Sequence, residues 1–395
     1  MDVARFEQSP AGRLVKVHRP GDAEFWAFVP NPLPPELDLD LQLSQTLSTA
    51  DRAVGKLDGL TQNLPNPHIF VRPLIRSEAV VSSRIEGTQA DLVDLFAYEA
   101  GQLSLRVDGP AAPQDDVHEV YNYVRAMEYG LERREILPVS LRFIRELHRI
   151  LMEGVRGEHR TPGEFRTSPN WIGPPGCNLN DATYVPPPPG DELNSSLNDF
   201  ERYLHTEPKY PWLVELALIH YQFEAIHPFL DGNGRVGRLL TALLIVHWGL
   251  LSEPLLYLSE YFERNRDDYY NLLFRVSAEG AWREWVEFFL KGVAEQAEVT
   301  NQRASALLGL QRDWREKLTA AGASALPLRL VDSLVESPVT TISLAQETLG
   351  VTYHTARNQI LKLEEAGILL EITGKNYGKI YIAPEVMRIV HGLQK

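Results

Sequence analysis

The densest run of reactive side chains is His227-Pro-Phe-Leu-Asp231-Gly-Asn-Gly-Arg235-Val-Gly-Arg238, set between two apolar runs of helical period. A loop that opens onto a helix N-terminus presents unpaired N–H groups and the positive end of the helix dipole, which suits an anion. Gly232 and Gly234, on either side of Asn233, let the backbone come close to such a ligand and aim N–H groups at it. Arg235 and Arg238 are three apart, across Val236 and Gly237, so both guanidiniums project from one helical face. Two cations beside a nest of N–H groups point to a polyphosphate. Asp231 offers the single carboxylate that Mg²⁺ favours when it is shared with phosphates. His227 has a side chain that titrates near neutrality and can take the proton of an attacking hydroxyl. Any one of these residues alone is an ordinary turn or surface charge; their density over twelve positions is what marks a site.

Two other patterns overlap this run. Gly232-Asn-Gly234-Arg-Val-Gly237 fits the dinucleotide fingerprint by letter, but that fingerprint needs a preceding strand, and residues 212–226 have helical period. His220, Glu224 and His227 share a helical face that could hold a metal, and Glu224-x-x-His227 is half of a di-iron carboxylate pattern. The chain supplies no second Glu-x-x-His, so His220 reads as a core histidine.

The elements that must position the loop are mostly helical. Apolar periodicity predicts helices over 117–129, 141–152, 197–204, 212–226 and 235–248. Residues 170–189 are rich in Gly, Pro and Asn and read as a hairpin or flap. The N-terminal sequence reads as Pro-rich and irregular up to Pro35, then helical. A helix over 293–318 and a hinge at 320–324 lead into residues 325–395. There, helix, helix, turn, helix and hairpin follow in the order of a winged helix. The fold class is therefore mainly α with a small β-hairpin flap, plus a C-terminal winged helix of α+β type. Four parts are expected: residues 1–110, 111–292, 293–324 and 325–395, the first boundary falling in the Gly- and Pro-rich stretch 106–116.

Composition limits the function classes. The 395 residues carry 39 Lys and Arg against 53 Asp and Glu, a net charge of −14, which disfavours non-specific coating of DNA or anionic lipid. Cys177 is the only cysteine, which excludes an intrachain disulfide and a cysteine-based zinc site. The first residues lack the apolar run of a signal peptide, and no apolar stretch reaches membrane length. A cytoplasmic protein without membrane contact is the expectation.

Residues 227–238 resemble the signature HPFxDGNGRxxR of the Fic (Fido) family at every specified position. The resemblance implies a helical Fic core that transfers AMP from ATP to a protein hydroxyl (Tyr, Ser or Thr), possible on itself, with Mg²⁺ held at Asp231. By it, His227 is the general base, and Gly232, Asn233, Gly234, Val236 and Gly237 belong to the phosphate loop that Arg235 and Arg238 complete. Phe229 would be the buried anchor. Gly163, Glu164, Phe165 and Arg166 resemble the lead into the family's flap, whose strand would be Asn170, Trp171, Ile172 and Gly173. Tyr269 and Tyr270 resemble an aromatic pair beside the adenine pocket, and Ser277 stands where some relatives have Asn.

Ser82-Ser-Arg-Ile-Glu86-Gly87 resembles the family's inhibitory motif (S/T)xxxE(G/N). The resemblance implies that Glu86 reaches the ATP site and pairs with Arg238, with Ser82 on the same helical face and Gly87 ending the helix. An Arg engaged by a carboxylate cannot clamp the γ-phosphate.

The winged helix invites a rival reading, a transcriptional regulator whose Fic-like core senses a nucleotide. Residues 325–395 carry seven basic and seven acidic side chains, however, so DNA binding is not favoured, and protein recognition or homodimer contact is. Within enzymes, the same loop is compatible with transfer of UMP, phosphate or phosphocholine, or with removal of AMP. The protein target is not legible in the sequence.

Overall fold

The computed structural model describes residues 1–18, 24–62, 67–101, 112–133, 138–155, 161–174, 176–374 and 377–391. The expected boundary at 110/111, and Lys375 and Lys395, lie outside the described residues. Along the chain come β1 (Gly12–Val17), β2 (Phe25–Pro30), α1 (Leu41–Gln62), α2 (His68–Ile85), α3 (Leu92–Glu99) and α4 (Gln114–Arg133). Then follow α5 (Leu141–Leu151), α6 (Asp191–Leu204), α7 (Trp212–Ile226), α8 (Asn233–His247), α9 (Ser259–Arg264) and α10 (Arg266–Glu279). The C-terminal part has α11 (Trp282–Ala320), α12 (Ala325–Glu336), β3 (Val339–Thr341), α13 (Ile342–Leu349) and α14 (Tyr353–Glu365). It closes with β4 (Leu370–Glu371), β5 (Ile380–Ile382) and α15 (Pro384–His391).

Two compact units emerge: residues 1–55, 125–251 and 256–296, and residues 56–124, 252–255 and 297–395. This division differs from four successive parts, and α11 runs across the expected boundary at 292/293. The helix expected over 293–318 is the second half of α11, whose 39 residues begin at Trp282.

In the first unit, α7 and α8 each bury 13 of 15 positions, which only a sequence apolar nearly all round permits. α5 starts at Ser140, whose hydroxyl accepts from the Phe143 amide and so caps an orphan donor. The described part of the N-terminal 30 residues holds two strands where irregular chain is expected. β1 and β2 form an antiparallel hairpin with Gly12 opposite Pro30 and Val17 opposite Phe25. Pro32, Pro34 and Pro35 follow the strand instead of interrupting it. The Phe28 amide donates to Val185 O at 2.8 Å, and Phe25 and Ala27 pack with Ala182 and Val185, so the hairpin buttresses the flap. The flap itself pairs sparingly: Ile172 and Tyr184 form an antiparallel bridge.

In the second unit, α2 carries Pro73 in its interior and ends at Ile85. α12 and α15 pack on α2. The terminal module keeps the expected three helices and hairpin and adds two unforeseen elements, the final helix α15 and the strand β3, which gives an antiparallel sheet of order β3-β5-β4. Among the described residues, no helix is long and apolar enough to cross a membrane.

Candidate active site

His227 follows the last residue of α7 with φ 48° and ψ 60°, a left-handed conformation that costs a non-glycine residue about 1–2 kcal/mol. Several bonds hold it there. Its amide donates to Phe223 O at 3.0 Å, and its carbonyl accepts from Arg166 Nε at 2.8 Å. The Arg166 amide donates to Pro228 O at 3.0 Å, and Arg166 Nη2 donates to Pro187 O at 2.6 Å. Arg166 is 2 % exposed, and burial lowers its pKa to about 10, which still leaves it charged at neutral pH. One cation thus ties the base of the loop to the segment on either side of the flap. The His227 imidazole lies with Nδ1 3.3 Å from Glu224 O. A carbonyl can only accept, so Nδ1 carries the proton in this contact and Nε2 is the ring's acceptor nitrogen.

The turn after His227 is anchored by Phe229, which is fully buried, and by Asn233. The Phe229 amide donates to Asn233 Oδ1 and Asn233 Nδ2 returns a bond to Phe229 O, both 2.8 Å. Gly232 stands at φ 75°, where a side chain is strained, and a Cβ there would come within 3.0 Å of Met152 Sδ. Asp231 accepts from the Gly232 amide at 2.7 Å through Oδ1, and its side chain is partly exposed. Arg235 and Arg238 follow in the first turns of α8, 3 % and 4 % exposed, and Arg235 Nη2 lies 3.7 Å from Asp231 Oδ1. A Cβ on Gly237 would meet Glu224 Oε1 at 2.5 Å, so this glycine serves the packing of α7 on α8. Val236, fully buried, does the same.

Two histidines outside the expected site support it. His148, on α5, accepts from the Gly163 amide at 2.8 Å through Nδ1 and donates to Asp231 O at 3.0 Å through Nε2. Its ring stacks on Phe229 with centroids 3.7 Å apart. It was not singled out above, although it lies on the apolar stripe of Ile144, Leu147 and Leu151, a position unusual for a polar side chain. His220 joins Thr241 Oγ1 and Tyr269 OH, both at 2.9 Å, and Thr241 donates on to Gly237 O at 2.8 Å. It is a core residue among Phe262, Trp285 and Phe289, as its sequence reading has it. Among the described residues no cluster of His, Cys, Asp and Glu could hold a metal by itself.

Burial is the main cause that pulls His148 down to about 4 and His220 to about 3, with Arg235 repelling the first and Arg238 the second. In the unfolded chain an imidazole takes its proton near pH 6.5, so below that pH the unfolded chain binds protons that the fold excludes. Stability from these two residues is complete above about pH 6.5. It is lost as pH falls towards 4 for His148 and towards 3 for His220. Between about pH 6.5 and pH 5 the loss is on the order of 2 kcal/mol for each. Urea midpoints are expected to drop over this window, and His220→Leu should flatten the drop by about half. An equally steep profile in the variant would overturn the neutral state assigned to His220.

Within the first unit, not every expected residue meets at the loop. Asn170 does, since its Nδ2 donates to Phe229 O at 2.8 Å. Trp171 and Ile172 are exposed beside it, and Gly173 leaves no room for a Cβ, which would lie 2.7 Å from Cys177 Sγ. Of the two tyrosines only Tyr270 reaches solvent; Tyr269 is 1 % exposed and bonded to His220. Ser277 is buried, with its hydroxyl 2.8 Å from Tyr221 OH. Ser82, Glu86 and Gly87 belong to the second unit. There Ser82 is wholly buried, Glu86 is the exposed C-cap of α2, and Gly87 turns the chain away at φ 101°.

Comparison with known proteins agrees with this geometry. Residues 44–132 match the Fic/DOC family N-terminal domain and residues 138–245 match the Fic/DOC family domain. Protein adenylyltransferase Fic of Drosophila yakuba is 32 % identical over 188 residues, 47 % of this chain, and its namesake in Drosophila melanogaster is 31 % identical over the same length. The match spans only 34 % of those relatives' own length. A Fic family protein from Desulfovibrio desulfuricans G20 has the same fold at a TM-score of 0.56 and 19 % identity, over 89 % of this chain and 98 % of that one. A Fic domain containing signaling protein from Bacteroides thetaiotaomicron VPI-5482 superposes at a TM-score of 0.51 and 18 % identity, over 65 % of this chain and 95 % of that one. The helices, the loop that begins at His227 and these matches lead to one statement: residues 44–132 and 138–245 of this chain are similar to the N-terminal domain and the Fic domain of the Fic/DOC family.

Proposed function

We propose that this chain transfers AMP from ATP to a hydroxyl side chain of a protein, and that Glu86 restrains the reaction. The observation that carries the reading is His227, fixed in a left-handed turn with Nδ1 against Glu224 O, one loop away from the N-terminus of α8 and its two arginines. The relatives named protein adenylyltransferase supply the choice of ATP.

In the proposed reaction the target hydroxyl gives its proton to His227 Nε2 as its oxygen attacks the α-phosphorus. The new O–P bond forms while the bond from the α-phosphorus to the bridging oxygen breaks, and pyrophosphate leaves. Amides at the start of α8, with Arg235 and Arg238, bear the charge of the phosphates and of the leaving group. Asp231 suits Mg²⁺ bound with those phosphates, since its carboxylate is partly exposed at the start of α8. When bound, the ion would neutralise phosphate charge. Tyr270, exposed on α10, is the candidate for stacking on adenine. The exposed edge at Trp171 and Ile172 would hold the target in extended form by strand addition.

Glu86 would act by engaging Arg238 and denying it to the γ-phosphate, as the inhibitory motif implies. Residues 325–395 would form a winged helix that brings the enzyme a partner.

Labelled nucleotides test the transfer. Incubation with ATP labelled at the α-phosphate is expected to mark the protein itself or an added target, and mass spectrometry to find one AMP on Tyr, Ser or Thr. Label retained from the γ-position, or from UTP in place of ATP, would sink the AMP reading in favour of phosphate or UMP transfer.

A further inference from the structure

The short lead into the flap, Gly163 to Arg166, grips the loop at both of its ends. At the base end Arg166 Nε donates to His227 O at 2.8 Å, and the Arg166 amide donates to Pro228 O at 3.0 Å. At the carboxylate end the link runs through α5. The Gly163 amide donates to His148 Nδ1 at 2.8 Å, and His148 Nε2 lies 3.0 Å from Asp231 O. An amide N–H can only donate and a carbonyl can only accept, so the two contacts fix one neutral tautomer with its proton on Nε2. Arg145, also on α5, clamps the same glycine from its other side by donating from Nε to Gly163 O at 2.7 Å.

The peptide group that His148 holds is a particular one. The Asp231 carbonyl and the Gly232 amide belong to a single rigid plane. His148 donates to the oxygen of that plane, and the Asp231 carboxylate accepts from its N–H through Oδ1 at 2.7 Å. Rotation of the peptide would therefore release the carboxylate. The plane also rests on α5, since a Cβ on Gly232 would come within 3.0 Å of Met152 Sδ and 3.5 Å of His148 Nε2. Phe229 fixes the imidazole in turn, with the two ring planes 8° apart and their centroids at 3.7 Å.

We propose that His148 is a positioning residue: by pinning the Asp231–Gly232 peptide to the flap lead-in, it keeps the Asp231 carboxylate in place for a divalent cation bound with the nucleotide. The role given to Asp231 is that of the reaction proposed above, but the test reads binding and does not need transfer.

Three substitutions separate the two bonds. His148→Gln reaches as far as Nε2 and keeps a donor for Asp231 O. His148→Asn reaches only as far as Nδ1 and keeps an acceptor for the Gly163 amide. His148→Phe keeps the stack on Phe229 and neither bond. Each is made in the full chain carrying Glu86→Gly, which removes the proposed inhibitor, and calorimetry measures ATP affinity with Mg²⁺ and with excess chelator. Metal-free affinity is expected to stay within about threefold of the parent in all three, because a group behind a metal ligand acts through the metal. The gain that Mg²⁺ brings should fall about tenfold in His148→Asn and His148→Phe and stay within about threefold of the parent in His148→Gln. Melting curves verify folding, and His148→Phe, close to the parent ring in size, keeps the comparison if His148→Asn does not fold. A merely structural role would weaken all three without sorting the Mg²⁺ gain by the donor retained. An equal gain in every chain, a loss in His148→Gln as deep as in His148→Asn, or no gain in the parent would overturn the proposal. A sorted gain without any transfer of label would count against the AMP reading alone.

Discussion

His227→Ala is expected to lower AMP transfer by about 10²- to 10⁴-fold, the range that a positioned general base supplies. In the proposed reaction Nε2 receives the hydroxyl proton, because Nδ1 is engaged with Glu224 O at 3.3 Å. Alanine removes that acceptor and leaves the phosphate-binding groups in place, since the Asn233 bonds to Phe229 do not involve the imidazole. Affinity for ATP should therefore change by less than about twofold while the rate collapses. Radiolabel incorporation over time, paired with calorimetric titration of ATP, separates the two quantities. Transfer that survives in the variant would remove His227 as the base. Loss of ATP binding with intact circular dichroism would show that the imidazole holds the nucleotide instead.

The loop was legible because its signal is local. Twelve consecutive positions supply a base, a carboxylate, the glycines and both arginines, and flanking apolar runs give away α7 and α8. What supports the loop was not legible, because its partners lie far along the chain. Arg166 reaches carbonyls 61 and 21 residues away, and nothing in its own neighbourhood distinguishes it from a surface arginine. His148 reaches Asp231 across 83 residues. It did leave a trace, as a polar side chain on the buried stripe of α5. The N-terminal hairpin was missed for another reason. Its prolines drew attention to an irregular chain, while Leu14, Val15, Val17 and the run from Phe25 to Val29 held enough β-branched and aromatic residues for two strands. Tyr269 and Tyr270 are neighbours in sequence but point to different environments, one to the His220 cluster and one to solvent, as adjacent helical positions must. In the terminal module the formal charge count was correct. The count is silent on pairing, which takes Glu336 to Arg72 of α2 and Asp332 to Arg315 of α11.

Glu86→Gly is expected to raise the rate of AMP transfer by about 10- to 100-fold. The magnitude follows from the charge-assisted bond that the proposed inhibition would break, worth about 1.5–3 kcal/mol. The substitution is mild for the fold. Glu86 is the exposed C-cap of α2, outside the helix interior, and glycine is well suited to that end of a helix. The backbone bonds from the Glu86 and Thr88 amides to Ser83 O, at 3.0 and 3.3 Å, do not depend on the Glu86 side chain. Glu86→Gln keeps the shape and drops the charge, so its rate should fall between the other two if the carboxylate charge is the inhibitor. Initial rates at several ATP concentrations distinguish relief of nucleotide exclusion, which lowers KM, from correction of its pose, which raises kcat. Equal rates for the parent and Glu86→Gly would dismiss the inhibitory role while leaving the transfer reading intact. Silence of both with every nucleotide would count against the transfer itself. The pair of variants thus assigns a failure to the switch or to the chemistry, and combining Glu86→Gly with His227→Ala should return the rate to background.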